Sequence, residues 1–347
     1  MFFLLRVGTL LLIPAYLLAN PAPNDCQPDE KHIRLDHCPH LYNTEWTRQM
    51  RTEYGISVWQ YPGPQMICCP KSGNELPSTD MCESRTSDFR IAKGIAAEAN
   101  EFPWMAKLLY LDRSTSQIVS SCAGSLINNR YVLTAAHCVS AMPVNLDLQS
   151  VGLGGHNIEN TPENISQCTD LRIRCTDPYL VIDVEELFVH EQYGRGSLEM
   201  YQNDIALLRL KMPVRFSAGI KPICLLQNEL SSTITKFKIA GWGTEGDVLK
   251  HGDIITVNSN RCDRMFRNVR VNSELQICAG SPRGVDTCRG DSGGPLMVTD
   301  MGPNYTEFTY QAGIASYGYV HCGRTNMPAV YTRTKAFLNW IKDRMRA

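Results

Sequence analysis

The sequence of 347 residues predicts an all-β fold of antiparallel barrels with a helix near its carboxyl end and a small disulfide-held module near its amino end. Short apolar stretches broken by turns run from residues 104–109 to residues 311–315, without alternating helical segments. Four cysteines lie within residues 23–70, a segment too short to bury a sufficient core without covalent support. Helical spacing of apolar residues occurs near the carboxyl end, at Phe337, Leu338, Ile341 and Met345.

Residues 1–19 have the character of a secretory signal peptide. They combine Arg6 with an apolar run, and we expect cleavage between Ala19 and Ala22. A membrane anchor is the alternative, but the run is short and contains Pro14. The formal net charge of −1 argues against nucleic acid or an anionic membrane surface as the main partner.

Residues 23–70 form a cysteine-bearing segment that is too short to bury a stable core without covalent support. Its four cysteines allow three connectivities, and spacing alone does not choose among them. Fourteen cysteines behind a signal peptide predict an oxidising compartment and an even set of disulfides. Residues 71–90 are polar and lack a hydrophobic period, so they are interpreted as a linker in which Cys82 could act as a tether.

Residues 286–295, DTCRGDSGGP, carry the strongest catalytic signal. Gly290, Gly293 and Gly294 let the backbone approach a substrate carbonyl and adopt dihedrals that side chains forbid. Ser292 is the candidate nucleophile, and the N–H groups of Gly290 and Ser292 are candidate oxyanion donors. A glycine-rich turn between strands is the alternative interpretation.

Two upstream residues could complete a catalytic set. His137 follows the apolar run 131–133 among small residues, and Asp204 heads the apolar stretch 205–210. A buried carboxylate is costly without a partner, and an imidazole N–H would satisfy it. Taken singly, each has a structural interpretation. In the order His, Asp, Ser the motifs resemble the chymotrypsin-like, or trypsin-family, serine proteases from about residue 91 to the carboxyl end.

The resemblance implies two antiparallel six-stranded β-barrels and assigns a role to each matching residue. Ser292 would be the nucleophile, His137 the general base and acid, and Asp204 the group that orients the imidazole. Asp286, six residues before Ser292, would lie at the floor of the specificity pocket and select substrate Arg or Lys.

The resemblance also assigns substrate-binding positions. Ser316, Tyr317 and Gly318 resemble the segment that pairs with the substrate backbone as an added strand. Ala329 replaces the usual Gly of the pocket wall, and its methyl group would narrow the slot and shift the balance between Arg and Lys. Arg289 replaces a residue that is often Gln at the rim, which would favour acidic groups just beyond the scissile bond.

The segment from Arg90 to residue 94 resembles the activation site of the family. Cleavage after Arg90 would free an ammonium on Ile91, and that cation would insert against Asp291 and complete the oxyanion hole. A free α-amine has a pKa of roughly 8, so its deprotonation would favour the zymogen-like state. Lys93 departs from the family by replacing a flexible Gly near the inserting terminus.

The adjacent Cys68 and Cys69 before a Pro resemble the clip domain that arthropod serine proteases carry ahead of the catalytic domain. A clip domain normally has six cysteines, whereas this segment has four. By resemblance, one disulfide would tether the clip-like module to the protease domain, residues 91–347. The implied pairs are Cys26–Cys68, Cys38–Cys69, Cys82–Cys224, Cys122–Cys138, Cys168–Cys175, Cys262–Cys278 and Cys288–Cys322.

Residues 156–186 form a long acidic loop, and some relatives bind calcium in the corresponding loop. Gly155 stands where calcium-binding members usually place a first Glu, so we favour a solvated acidic face and expect no required metal or other cofactor. Asn164 and Asn304 begin sequons that could carry glycans.

The resemblance therefore implies a secreted zymogen of arthropod haemolymph that cleaves after Arg or Lys in an innate-immune cascade, through melanisation or Toll-ligand processing. Its expected partners are a protein substrate such as prophenoloxidase or another zymogen, an upstream activating protease and a serpin-type inhibitor. A non-catalytic protease homologue acting as a binding cofactor is the alternative, although such homologues commonly lack the serine. A digestive trypsin is disfavoured by the amino-terminal module and Cys82.

Overall fold

The structure is a computed structural model, and it describes residues 26–27, 30–38, 65–78, 95–155, 180–195, 201–225, 235–243, 248–266, 269–301, 307–319 and 325–346. The chain divides into two units, Met1–Lys71 and Ser72–Ala347. The expected signal peptide lies outside the described residues. Within the described part of the chain, no helix has the length and apolar character needed to cross a membrane.

The described residues of the first unit contain two antiparallel strands held by disulfides. Strand β1 (Glu30–Arg34) pairs with β2 (Met66–Pro70) in a register that opposes Ile33 to Ile67. Two disulfides, Cys26–Cys68 and Cys38–Cys69, close around these two strands. Ile67 and both sulfur pairs supply much of its described interior, because a segment of this length has few other apolar side chains to bury.

The described part of the second unit consists mainly of short strands, with three short α-helices. The helices are α1 (His137–Ser140), α2 (Ser259–Met265) and α3 (Leu338–Arg344). The strands are β3 (Ile95–Ala96), β4 (Met105–Asp112), β5 (Gln117–Leu126), β6 (Tyr131–Thr134), β7 (Leu146–Leu153), β8 (Leu180–Val189), β9 (Ala206–Leu210), β10 (Lys236–Gly241), β11 (Lys250–Thr256), β12 (Gln276–Gly280), β13 (Pro295–Met301), β14 (Glu307–Tyr317) and β15 (Pro328–Arg333).

The first barrel closes in the strand order β4-β5-β6-β9-β8-β7. Strands β6 and β9 are buried along their whole length, which is consistent with their mostly apolar sequences, YVLT and ALLRL. Irregular pairing occurs at Leu108/Leu109 of β4, where a bulge adds the local twist that barrel closure needs. The pairing of Thr134 with Ala206 brings the end of β6 beside the start of β9.

The second barrel follows the order β10-β13-β14-β15-β12-β11, and the pairing of β10 with β11 closes it. Strand β3 adds to the outer edge of β11. The core of the second barrel includes Phe237, Ile239, Leu296 and Tyr331, all nearly inaccessible to solvent. The predicted all-β fold with two antiparallel six-stranded barrels is therefore confirmed.

The predicted carboxyl-terminal helix is also confirmed. A 3-10 turn at Thr334–Phe337 leads into α3, which buries Leu338 and Ile341. Tyr131 of β6 fixes the end of this helix, because its hydroxyl accepts a hydrogen bond of 2.9 Å from the backbone N–H of Arg346. Burial of these two apolar side chains explains why so short a helix is stable.

Candidate active site

His137 and Asp204 meet at one end of the first barrel. His137 begins α1 directly after β6, and Asp204 precedes β9, so the pairing of β6 with β9 brings the two residues together. His137 Nδ1 lies 2.8 Å from Asp204 Oδ2, and the His137 backbone N–H donates to Asp204 Oδ1 at 2.9 Å. The Asp204 side chain is fully buried, whereas the imidazole remains 21% exposed. The carboxylate can therefore hold the ring, and the other ring nitrogen, Nε2, lies 3.6 Å from Cys138 Sγ.

Asp204 has two further partners from the second barrel. Ser316 Oγ donates to Asp204 Oδ2 at 2.5 Å, and Thr332 Oγ1 donates to the Asp204 backbone carbonyl at 2.8 Å. The sequence interpretation gave Ser316 only a role in substrate binding, and it missed Thr332. No local sequence signal could have found either contact, because β14 and β15 reach Asp204 only after the two barrels have packed.

The turn that carries Ser292 requires its glycines. Gly290 and Gly293 have φ angles of 97° and 81°, in the left-handed region that favours Gly. A Cβ atom at Gly293 would lie 2.1 Å from Thr134 Oγ1, so no side chain fits there. The Ser292 carbonyl accepts a hydrogen bond of 2.8 Å from the backbone N–H of Ala123, which ties the turn to β5 of the first barrel.

The donors at this turn are available to a ligand. Within the described part of the chain, the backbone N–H groups of Gly290 and Ser292 and the Ser292 hydroxyl make no hydrogen bond. By contrast, the neighbouring Gly293 and Gly294 N–H groups donate to Ala315 O and Asp291 O at 2.8 and 2.9 Å. Two donors and a hydroxyl that have no partner among the described residues are what stabilisation of an oxyanion at this position would need.

Asp291 is buried behind the Ser292 turn. Its Oδ1 accepts from the Gly243 N–H at 2.7 Å and its Oδ2 accepts from the Cys288 N–H at 2.9 Å. Burial nevertheless raises the pKa of this carboxyl. Space for it exists because Gly241 lacks a side chain, since a Cβ atom there would lie 2.0 Å from Asp291 Oδ1. Arg90 and Ile91, the predicted activation residues, lie outside the described residues.

Asp286 lies in a largely buried position with an unsatisfied oxygen. Burial raises the pKa of its carboxyl to about 7, and the nearby Asp291 charge acts in the same direction. Its Oδ2 is inaccessible to solvent and has no hydrogen-bond partner among the described residues. An unsatisfied buried carboxylate is unfavourable, so this position favours an incoming cationic group.

Ala329, Gly318 and Arg289 are the other residues that the sequence predicted for the pocket and its rim. Ala329 is buried and pairs with Ala279 of β12, and a Cβ atom at Gly318 would approach the Ala329 methyl group to 3.2 Å. Arg289 is exposed. The wall between β12, β14 and β15 is thus closely packed, and the extra methyl group lies within it.

An aromatic cluster that the sequence interpretation missed lies next to Ser316. The Tyr317 ring stacks on Tyr201 with centroids 4.6 Å apart and meets Phe266 edge-on at 5.2 Å. Tyr201 precedes Asp204 by three residues in sequence, but Phe266 comes from the end of α2. Long-range packing creates this surface, so spacing could not have predicted it.

Four disulfides of the structure are pairs that the resemblance implied. Besides the two in the first unit, Cys122–Cys138 joins β5 to α1 beside His137, and Cys262–Cys278 joins α2 to β12. Cys224 and Cys288 are also disulfide-bonded, while their expected partners fall outside the described residues. The other predicted features that fall there are Cys82, Cys168, Cys175, Cys322, Asn164, Asn304 and the loop residues 156–179.

The end of the predicted acidic loop belongs to β8. Its carboxylates are engaged in ion pairs: Asp183 with Lys211 at 3.4 Å, Glu185 with Arg130 at 3.1 Å, and Glu186 with Arg346. Two close groups of ligand-type side chains occur in the described part, and both include disulfide-bonded cysteines that cannot act as thiolate ligands.

Comparison with known proteins gives consistent matches. Residues 91–341 match the family model described as Trypsin. The chain is 37% identical to Melanization protease 1 of Drosophila melanogaster over 92% of this chain and 80% of that protein. It is 36% identical to the Spaetzle-processing enzyme of Drosophila melanogaster, over 81% of this chain and 77% of the relative. It is 38% identical to the CLIP domain-containing serine protease HP8 of Bombyx mori over 98% of both chains.

A solved structure is also similar. The structure of mouse neuropsin, a serine protease expressed in the limbic system of the brain, superimposes with a TM-score of 0.55 and 30% sequence identity. The match covers 73% of this chain and 99% of the neuropsin chain.

Proposed function

The chain belongs to the trypsin family of serine proteases, and we propose that it is a secreted zymogen, activated by cleavage after Arg90, that cleaves a protein substrate after Arg or Lys. The observation that carries the proposed specificity is Asp286. Its buried Oδ2 has no partner among the described residues, and burial raises the carboxyl pKa to about 7. A guanidinium or ammonium group would supply the missing partner and favour the ionised form.

The proposed chemistry is acyl transfer through Ser292. His137 Nε2 takes the hydroxyl proton as Ser292 Oγ attacks the scissile carbonyl, while Asp204 stabilises the resulting imidazolium through Nδ1. The Gly290 and Ser292 N–H groups bind the oxyanion. His137 then protonates the leaving amine, and the C–N bond breaks to give an acyl-enzyme. Water, deprotonated by His137, attacks the ester carbonyl and releases the carboxylate product and the serine.

We further propose that Asp291 is the switch between zymogen and enzyme. Its buried carboxylate accepts backbone hydrogen bonds from Gly243, Cys288 and Trp242, and the cost of its burial is reflected in its raised pKa. An ammonium freed on Ile91 would offset that cost and order the adjacent Gly290 turn. If Asp291→Asn retained full activity after cleavage at Arg90, this switch would be wrong.

The proposed setting is the extracellular fluid of an arthropod, where the protease acts in an immune cascade. The support is the similarity to Melanization protease 1 and to the Spaetzle-processing enzyme over most of this chain. The proposed partners are a protein substrate such as prophenoloxidase or another zymogen, an upstream activating protease and a serpin-type inhibitor. Residues 23–70 are proposed as the clip-like module, tethered through Cys82 and Cys224. No cofactor is proposed for catalysis.

The test begins with the secreted chain cleaved after Arg90, with Ile91 confirmed as the new terminus. Peptide substrates with Arg, Lys or an aromatic residue before the scissile bond are then assayed beside the Ser292→Ala variant. Turnover of the basic substrates that disappears in the variant supports the proposal. Absence of turnover despite correct cleavage contradicts the proposal and favours the binding-cofactor alternative. Lys93 and Ala329, which depart from the family pattern, would then be the first residues to replace in a search for the cause.

A further inference from the structure

Part of the predicted linker lies against the protease unit. Residues 72–78, here called the strap, follow the boundary between the two units and belong to the second one. The strap contacts the turn that joins β5 to β6, residues 127–130, which is nearly inaccessible to solvent. At its other end, the Ser78 carbonyl oxygen lies 3.7 Å from Cys224 Sγ. The strap is therefore in contact with the second unit at both of its ends.

Asn128 binds the backbone of the strap. Its side-chain Nδ2 donates to the carbonyl oxygens of Gly73 and Glu75 at 2.7 and 3.1 Å. Its Oδ1 accepts from the backbone N–H groups of Arg130 and Tyr131 at 2.9 and 2.8 Å, which fixes the orientation of the amide. Because Asn128 is only 4% exposed, departure of the strap would leave two donors of a buried amide without their partners.

Gly73 occupies a place that excludes side chains. Its φ angle is 75°, in the left-handed region that favours Gly. A Cβ atom there would lie 2.6 Å from Arg130 Cβ and 2.8 Å from Asn129 Oδ1. The Arg130 side chain cannot easily yield, because its Nε donates to the Leu210 carbonyl at 2.8 Å. The groove over this turn therefore accepts Gly and rejects any larger residue.

The strap is bound through its backbone and not through charge. The Arg130 guanidinium is paired with Glu185 at 3.1 Å, so its charge is already matched by β8. The side chains of Asn74 and Glu75 on the strap are exposed. Since salt screens charged pairs and has little effect on backbone hydrogen bonds and steric fit, binding of the strap should be nearly independent of ionic strength.

We propose that the strap and the β5–β6 turn form a noncovalent anchor that holds the amino-terminal fragment on the protease after cleavage, without the help of a disulfide. The inference rests on the proposed cleavage after Arg90. The strap precedes that bond, so cleavage leaves it in the amino-terminal fragment. The proposed Cys82–Cys224 tether then secures a segment that is already docked, because Ser78, which shortly precedes Cys82, lies beside Cys224.

The first experiment removes the tether and asks whether the fragment stays. A Ser292→Ala chain that also carries Cys82→Ser and Cys224→Ser is cut after Arg90, and sedimentation velocity over a dilution series measures the Kd between the two fragments. We expect a complex whose Kd changes less than about twofold between low and high salt. Complete separation of the fragments at every concentration would overturn the proposal.

Gly73→Ala in the same chain tests the fit. The variant should raise the Kd about thirtyfold, because Ala is strained at this φ and its methyl group overlaps Arg130. The matched control is Asn74→Ala, since the exposed Asn74 side chain accepts a hydrogen bond from Ser72 within the strap itself. The control should leave the Kd almost unchanged. Equal Kd values for the two variants would overturn the proposal. Both substitutions lie on the amino-terminal fragment, so the protease fragment is identical throughout.

The second experiment keeps the natural cysteines. The Ser292→Ala chain, cut after Arg90, is exposed to a glutamate-specific endoproteinase, and the rate of cutting after Glu75 is measured. The Glu75 carbonyl is bonded to Asn128, so this bond is cut only in molecules whose strap has undocked. Gly73→Ala should speed the cut about thirtyfold, in proportion to the undocked fraction. Equal rates for this variant and for Asn74→Ala would overturn the proposal.

The anchor and the proposed function can fail separately, because neither experiment requires turnover. A cleaved Ser292 chain that hydrolyses an Arg substrate but whose untethered fragment separates at every concentration would contradict the anchor alone. A cleaved chain that keeps the fragment but does not hydrolyse the substrate would contradict the proposed function and support the anchor.

Discussion

The ionised Asp286 carboxylate should lower the free energy of unfolding at neutral and alkaline pH, where the same charge would select a basic substrate residue. Burial raises the pKa of its carboxyl from 3.8 to about 7. A group whose folded pKa is raised contributes stability below its unfolded pKa, and that contribution is lost as the pH rises through the folded pKa. The window of loss is therefore pH 3.8 to about 7, and above it the wild type carries the full cost of a buried unpaired charge.

The magnitude follows from the size of the shift. About three pKa units correspond to ~4 kcal/mol at 1.36 kcal/mol per unit. Because the carboxyl is not completely buried, solvent screening reduces this to about 2 kcal/mol. Asp286→Asn should thus raise the free energy of unfolding by about 2 kcal/mol at pH 8 and leave it almost unchanged at pH 3, since an amide stays neutral throughout.

Urea unfolding of the uncleaved Ser292→Ala chain between pH 3 and pH 8 measures this effect without autolysis. Asp253→Asn, at an exposed position of β11, is the control and should not alter the pH dependence. In the cleaved active enzyme, the same Asp286→Asn change should lower kcat/KM for Arg substrates by about a thousandfold, because a desolvated charge pair is lost. A variant that is less stable than wild type at pH 8, or one that keeps the wild-type pH dependence of stability, would refute the reasoning.

Three further predictions concern the catalytic pair, the serine turn and calcium. Ser316→Ala removes a hydrogen bond to the buried Asp204 carboxylate and should lower kcat about tenfold with little change in KM; an unchanged kcat would show that the contact does not position the carboxylate. Gly293→Ala places a methyl group 2.1 Å from Thr134 Oγ1 at a φ of 81° and should cost about 3 kcal/mol of stability. Urea unfolding measures this cost, and a variant as stable as the wild type would show that the turn can accept a side chain. Thermal melting with calcium and with chelator should give identical curves, and a higher melting temperature with calcium would reveal a site in residues 156–186.

Much of the candidate active site could be predicted from local sequence, because its reactive residues lie in short, recognisable segments. The glycines around Ser292, the small residues before His137 and the apolar stretch after Asp204 each specify a local backbone on which one functional side chain stands. The resemblance then supplied their roles. The same reasoning located Asp286 but gave no indication that its carboxylate is buried without a partner, because burial depends on residues distant in sequence.

What the sequence by itself determined is therefore the alternation of short strands and turns, the helix spacing at the carboxyl end and the identity of the reactive groups. Only the tertiary structure decided that Ser316 and Thr332 bind Asp204, that Tyr201 and Phe266 contact Tyr317, and that the Asp291 carboxylate occupies the space left by Gly241. These contacts join strands far apart in the chain, and strand register and barrel packing fix them through the burial of side chains from both barrels at once.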